Sequence, residues 1–232
     1  VAQHPVSVLL TGETGTGKEV IAYLIHELSP YKEGLFVKIN CAAIPEHLLE
    51  SELFGYEKGA FTDASATKAG KIELAHKGTL FLDEIAEMSP EIQVKLLRVL
   101  QTREFERLGS NKTIKVDFRL IAATNRNIEQ AIETKQFRED LFYRVNEFSI
   151  RLPALRERVD DIEELFHYFV DKCCHEMHLP VPVIDPLVYN ILKEYNWAGN
   201  IRELENVVKR AIIIMEGKKR IECNDFLFLT AQ

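Results

Sequence analysis

Two short segments of this chain carry residue types that could handle a nucleoside triphosphate. The first, Gly12-Glu13-Thr14-Gly15-Thr16-Gly17-Lys18, fits the pattern G-x-x-x-x-G-K. Glycines let a backbone curl so that its N–H groups point at phosphate oxygens, and the N-terminus of a following helix adds partial positive charge. Lys18 then belongs on the β- and γ-phosphates. In the general motif the next residue is Ser or Thr, whose hydroxyl ligates Mg²⁺. Here it is Glu19, which cannot ligate through a hydroxyl and repels phosphate oxygens unless a cation lies between. The second segment, Gly78-Thr79-Leu80-Phe81-Leu82-Asp83-Glu84, ends an apolar run in two acids. Asp83 suits the shell of a magnesium ion, through water, and Glu84 suits polarising a water for attack on the γ-phosphate. Strand-then-acid is a common pattern by itself; the upstream phosphate loop makes it specific. Ala122-Ala123-Thr124-Asn125 ends another run. Asn125 there either positions the attacking water or caps the chain.

These residues need a scaffold, and hydrophobic periodicity supplies one. Residues 6–10, 35–39, 79–82, 116–123 and 148–150 read as buried strands. Residues 18–28, 45–53, 90–101 and 128–132 read as helices, residues 72–75 as a helical turn and residues 55–68 as a loop. Alternation of strand and helix implies an α/β domain with a largely parallel sheet flanked by helices. The sheet delivers its acids at the carboxyl ends of its strands, where ligands bind in open α/β sheets. Beyond Pro153 the pattern becomes helical, over 160–177, 186–195 and 201–215, with no strand evident. The expected organisation is an α/β nucleotide-binding domain over residues 1–153 and a small all-helical domain over 154–232.

Composition excludes other classes. The chain has 232 residues, with 29 Lys and Arg against 36 Asp and Glu. Its net charge of −7 does not favour holding nucleic acid by its overall field. No apolar run reaches the length of a membrane span, and the first residues lack the pattern of a signal peptide. The chain begins without Met and reads as a fragment or a processed chain. Cys41, Cys173, Cys174 and Cys223 form no C-x-x-C pair and read as reduced, cytosolic thiols.

In order, the chain contains GETGTGKE, ELFGYEKGAFTDA, GTLFLDEI, ATNRNI, FREDLFYR, LPALRER and WAGNIRELENVV. This series resembles the central AAA+ domain of NtrC-family bacterial enhancer-binding proteins, which activate sigma-54 RNA polymerase. The resemblance spans essentially the whole chain. It implies a P-loop AAA+ domain followed by a helical lid, ATP and Mg²⁺ as cofactors, and a cytoplasmic ring of six or seven copies. Glu19 is usual in this family. Gly12 to Glu19 form its Walker A segment, Asp83 and Glu84 its Walker B pair, and Asn125 its sensor I. Asn40 corresponds to the asparagine that holds the Walker B glutamate in an inactive pose. Arg138 and Arg144 correspond to arginine fingers that reach a neighbouring subunit's site, and Arg202 to sensor II on the lid. Spacing alone reads Arg138 and Arg144 as surface residues paired with Glu139 and Asp140, and Arg202 as paired with Glu205. By analogy, Arg156 and Ile162 border the adenine pocket.

Gly59-Ala60-Phe61-Thr62-Asp63-Ala64 resembles the loop that contacts sigma-54 in this family. Read from its residues, it is either an exposed contact tip or a loop whose Phe61 tucks back onto the protein. Asp63 stands where the family has glycine, adding a charge and removing backbone freedom, with Lys58 and Lys68 as candidate partners. Residues 103–115 are expected to form a second loop supporting the first. The resemblance implies remodelling of the sigma-54 holoenzyme, with DNA binding only through a C-terminal domain absent from this chain. Two alternatives stay open: a nucleotide-dependent assembly module, and an ATPase for another protein client. Lys218-Lys219-Arg220 is a short basic cluster that reads as a solvated turn.

Overall fold

Apolar strands buried on both faces build the centre of the first unit. In the computed structural model, which describes residues 1–62, 64–215, 219–226 and 229, the chain divides into two compact units. One comprises Val1–Gly12 with Lys18–Arg151, the other Glu13–Gly17 with Leu152–Gln232.

In the first unit, strands β1 (Val8–Thr11), β2 (Phe36–Asn40), β3 (Thr79–Asp83), β4 (Arg119–Thr124) and β5 (Phe148–Arg151) form one sheet. Their order is β2-β3-β4-β1-β5, and every neighbouring pair is parallel. All six residues of β4 are buried, as are Thr79 to Leu82 of β3. Such continuous burial is what a parallel sheet covered by helices requires. Helices α1 (Lys18–Glu27), α2 (Glu46–Phe54), α3 (Lys71–Leu74), α4 (Pro90–Thr102), α5 (Ile128–Glu133) and α6 (Glu139–Val145) complete this unit. Helix α4 shows why the local sequence folds so. Pro90 occupies its first turn, Ile92, Leu96, Leu97 and Leu100 share its buried face, and Arg103 closes it in the left-handed conformation, φ 57°.

Several elements differ from the sequence reading. Helix α6 had no counterpart in it. Its seven residues show little periodicity, because Tyr143 is exposed while only Leu141 and Val145 are buried. Residues 116–118 lie outside the sheet: Val116 N–H donates to Arg103 O, and Asp117 O accepts from Lys77 N–H. Within the supposed loop 55–68, Gly55–Tyr56 pairs antiparallel with Lys68–Ala69.

The second unit holds α7 (Asp161–Glu176), α8 (Leu187–Glu194) and α9 (Asn200–Ile214). They close over Phe166, Val170, Leu192, Trp197, Leu204 and Val208. Trp197 is wholly buried and donates its indole N–H to Leu192 O at 2.7 Å, so its one polar atom is satisfied. A two-residue parallel pair, Val183–Ile184 with Arg220–Ile221, adds strand to a region read as purely helical. It is too short for a periodicity signal. The four cysteines are free thiols, and Cys41, Cys173 and Cys174 are buried. No helix among the described residues is long and apolar enough to cross a membrane. Asp63 and Lys218 fall outside the described residues, so the pairing expected of Asp63 and the turn expected at the basic cluster are not described. Lys68, one candidate partner, is bound by Glu52.

Candidate active site

Parallel register gathers the chemistry-bearing residues of the first unit along one sheet edge. Thr11 lies opposite Thr124, and Asn40 opposite Asp83. The carboxyl ends of β1 to β4 therefore sit side by side. From them emerge Gly12 and the phosphate loop, Asn40, the pair Asp83–Glu84, and Asn125.

The loop's own hydrogen bonds explain its shape. Five consecutive carbonyl oxygens are each engaged by a donor. Gly12 O accepts from Lys18 Nζ at 2.8 Å, and Glu13 O from Thr16 Oγ1 at 2.8 Å. Thr14 O accepts from Asn200 Nδ2 at 3.0 Å, Gly15 O from Ile201 N–H at 3.0 Å, and Thr16 O from Arg158 Nη2 at 3.1 Å. In a trans peptide the N–H points opposite to the C=O of the same unit, and there is no cis bond here. Fixing these carbonyls on one side therefore aims the N–H groups of Gly15, Thr16 and Gly17 to the other. No described acceptor takes those three N–H groups. Converging N–H groups beside a buried lysine, at the start of α1, are a donor set that fits a polyphosphate. Gly15 has no substitute here: its φ is 80°, and a Cβ would lie 2.3 Å from Gly199 O.

Glu19 follows in the first turn of α1, where its carboxylate pairs with Lys38 Nζ at 2.5 Å. That partner offsets the repulsion its sequence position implied.

The acidic pair is arranged differently from the expectation for Asn40. Asn40 Nδ2 donates to Asp83 Oδ2 at 3.2 Å, and its Oδ1 accepts from Ala42 and Ala43 N–H. The resemblance had set it on Glu84. The register puts Asn40 directly across from Asp83, one residue too early. Glu84 then leaves the strand in the left-handed conformation, φ 52°. Its Oε2 accepts from the backbone N–H of Asn125 at 3.0 Å. A non-glycine residue held there costs about 1–2 kcal/mol, and such strain concentrates at functional sites. Asp83 and Glu84 are adjacent acids at the carboxyl end of β3, a donor pair that fits a divalent cation. Among the described residues no group of three or more His, Cys, Asp or Glu is placed to hold a metal ion.

The arginines fall into three settings. Arg138 caps the start of α6, and its guanidinium grips Asp140 through two bonds of 2.9 and 2.7 Å. Those hydrogen bonds hold the Asp140 carboxyl below the usual carboxylate range. Arg144 donates to Leu100 O at 2.9 Å and lies 3.7 Å from Glu147. Arg202 is exposed, and the partner that spacing suggested, Glu205, is occupied by Lys172 and Lys209. Arg202 and Thr14 instead line one cavity of about 420 Å³ in the second unit, with Glu203, Asn206 and Arg210. Arg156 is clamped by both oxygens of the Glu13 carboxylate. Ile162 is a core residue of the second unit, 1% exposed.

Two residues absent from the sequence reading hold this machinery. Gln93, fully buried, donates to Met88 O and Gln136 O and accepts from Arg138 N–H, each at 2.8 Å. A polar residue on the apolar face of α4 was the available signal. Asn200 is the second.

The loop at 57–67 rests on a hairpin, Glu104–Glu106 with Thr113–Lys115. Glu57 N–H donates to Leu108 O and Leu108 N–H to Gly55 O, both at 3.0 Å. Gly59 N–H closes on Ala64 O at 2.9 Å. Phe61 is 44% exposed, with its ring edge-on to Tyr56 at 4.9 Å, so it combines both readings made of it. Thr62 is exposed and Ala64 buried. Arg107 ties the two segments together, bidentate to Glu73 and bonded to Glu57. Hydrogen bonds from Thr67 and Arg107 hold the Glu57 carboxyl below its ordinary value. Replacing Arg107 by Met is expected to speed amide exchange at Glu57 and Leu108 at least about tenfold. Unchanged exchange would show that the backbone bonds need no such clamp.

Residues 1–151 match the family model of the Sigma-54 interaction domain, and residues 156–229 match that of the AAA+ ATPase lid domain. The Nif-specific regulatory protein of Herbaspirillum seropedicae is 55% identical over 211 residues, covering 91% of this chain and 39% of that protein. Regulatory protein AtoC of Escherichia coli K12 is 52% identical over 217 residues, covering 94% of this chain and 47% of that protein. The chain thus spans less than half the length of these curated relatives. A crystal structure of NtrX from Brucella abortus in complex with ATP superposes with a TM-score of 0.90 at 37% identity, covering 97% of this chain and 50% of that one. Motif order, parallel sheet, phosphate loop and both family matches agree: the chain belongs to the sigma-54 interaction domain family of NtrC-type AAA+ transcriptional activators, with the lid domain that follows it.

Proposed function

We propose that this chain is the ATP-hydrolysing part of an activator that remodels sigma-54 RNA polymerase holoenzyme and so drives promoter opening. The observation that carries the reading is the loop of residues 12–18, whose carbonyls from Gly12 to Thr16 are all engaged while the N–H groups of Gly15, Thr16 and Gly17 are left for an anion. Lys18 binds the β- and γ-phosphates. Asp83 holds the water shell of Mg²⁺, which supplies charge neutralisation on the phosphates. Glu84 takes the proton of the attacking water, and Asn125 orients both. Arg138 and Arg144 act in the site of the next copy of a hexameric or heptameric ring. Arginine's fixed fork of donors suits phosphate oxygens, and such a finger raises transfer rates by roughly 10³–10⁵-fold. In the isolated chain Asp140 keeps Arg138 occupied, so the finger must exchange partners on assembly. Arg202, which lines a cavity with Thr14, takes the sensor II role. Gly59 to Ala64, with Phe61 and Thr62 foremost, touches sigma-54. The protein works in the cytoplasm, and DNA is held by another part of the activator.

The test is sigma-54 binding by the chain trapped with ADP–aluminium fluoride, with Asp63→Gly alongside. Equal binding by both, within about twofold, makes Asp63 a tolerated residue and upholds the activator reading. Binding by the glycine variant alone leaves the ATPase standing and assigns the chain to another client.

A further inference from the structure

Asn200 is fully buried and sits in the left-handed conformation, φ 55°, at the start of α9. Its Oδ1 accepts from Leu155 N–H at 2.8 Å. Its Nδ2 donates to Thr14 O at 3.0 Å and to Glu13 Oε2 at 3.1 Å. One carboxamide thus joins the second unit's backbone to two consecutive residues of the phosphate loop. Asparagine is suited to this: it tolerates left-handed backbone and offers an acceptor and two donors at once.

We propose that Asn200 is a positioning residue for phosphate recognition. By holding Thr14 C=O it fixes the peptide unit whose other end is Gly15 N–H, and so aims that donor at the anion. By binding Glu13 together with Arg156 it keeps a carboxylate of the loop away from phosphate oxygens. Aspartate would keep the bond from Leu155 N–H but lose both donors and set a second carboxylate against Glu13. Glycine would keep the backbone conformation and lose everything else. The inference rests on the reading of residues 12–18 as the phosphate site.

The test measures affinity for ATP and for inorganic tripolyphosphate, beside the melting temperature without ligand. Asn200→Gly is expected to bind both ligands about tenfold more weakly, the worth of one or two lost orienting hydrogen bonds. Asn200→Asp keeps the side-chain volume and is scored if the glycine variant fails to fold. It is expected to lose at least as much at pH 8 and to recover part of it near pH 5, as the two facing carboxylates share a proton. A purely structural role would lower the melting temperature while leaving the folded protein's tripolyphosphate affinity and its pH profile unmoved. Affinity within about twofold of the unsubstituted chain, in either folded variant, overturns the inference. If the unsubstituted chain binds neither ligand, the phosphate-site reading itself fails, a result distinct from unaltered affinity in the variants.

Discussion

Replacing Glu84 by glutamine is expected to cut ATP turnover at least about 100-fold while ATP affinity stays within about threefold. The two side chains have the same shape. Glutamine's oxygen can still accept the Asn125 N–H that now bonds Glu84 Oε2, so the geometry at the end of β4 is kept. What disappears is a group able to take a proton from water. The left-handed backbone at residue 84 is equally open to both residues, so the variant adds no strain of its own. Turnover by the assembled protein and binding of a fluorescent ATP analogue check the two halves separately. A fall below about tenfold would move the role of base elsewhere. A parallel loss of affinity would mean that the carboxylate holds the nucleotide rather than the water.

Gly15→Ala is expected to fail at an earlier stage, in binding. An alanine at φ 80° costs about 1–2 kcal/mol in backbone strain. Its Cβ would also lie 2.3 Å from Gly199 O, a backbone atom that cannot rotate aside. The start of α9 must back away, and the bond from Ile201 N–H to Gly15 O goes with it, worth about 1 kcal/mol. The sum, about 2–3 kcal/mol, corresponds to a loss in ATP affinity of at least about 30-fold. Gly59 supplies the control. Its φ of 85° is nearly the same, yet a Cβ there meets nothing within 4 Å. Gly59→Ala should therefore show the strain without the clash, and ATP affinity should stay within about twofold. Equal losses in the two variants would remove the Gly199 contact from the explanation.

The sheet and the phosphate loop were legible because their signals are local. Leu80 to Leu82 and Leu120 to Ala123 are unbroken apolar runs, as a strand buried on both faces must be. The glycines of residues 12–17 state their conformational need in their own identity. Helix α6 was not legible, since seven residues with Tyr143 outward carry little period. Val116 and Phe118 misled for the opposite reason: they are buried and apolar around the exposed Asp117, but the segment's backbone bonds go to Arg103 and Lys77 rather than to a sheet strand. Asn40 was expected on Glu84, and the one-residue offset that puts it on Asp83 is a matter of register, invisible without the pairing of β2 with β3. Gln93 left one signal, a polar residue on an apolar helix face, but its partners Gln136 and Arg138, like the Asn200 partners Leu155, Thr14 and Glu13, lie more than forty residues away and leave no local mark.

The separation between Asn200 and the loop, 186 and 187 residues along the chain for its two bonds, also sets an order of events at the ribosome. The sheet strands end at Arg151. The donors that fix Thr14, Gly15 and Thr16 come from Arg158, Asn200 and Ile201. Synthesis at about 5–20 residues per second delays the last of them by several seconds after the final strand. A nascent chain therefore carries a finished sheet before its phosphate loop has acquired its supports, and nucleotide capture is reserved for a chain synthesised past Ile201.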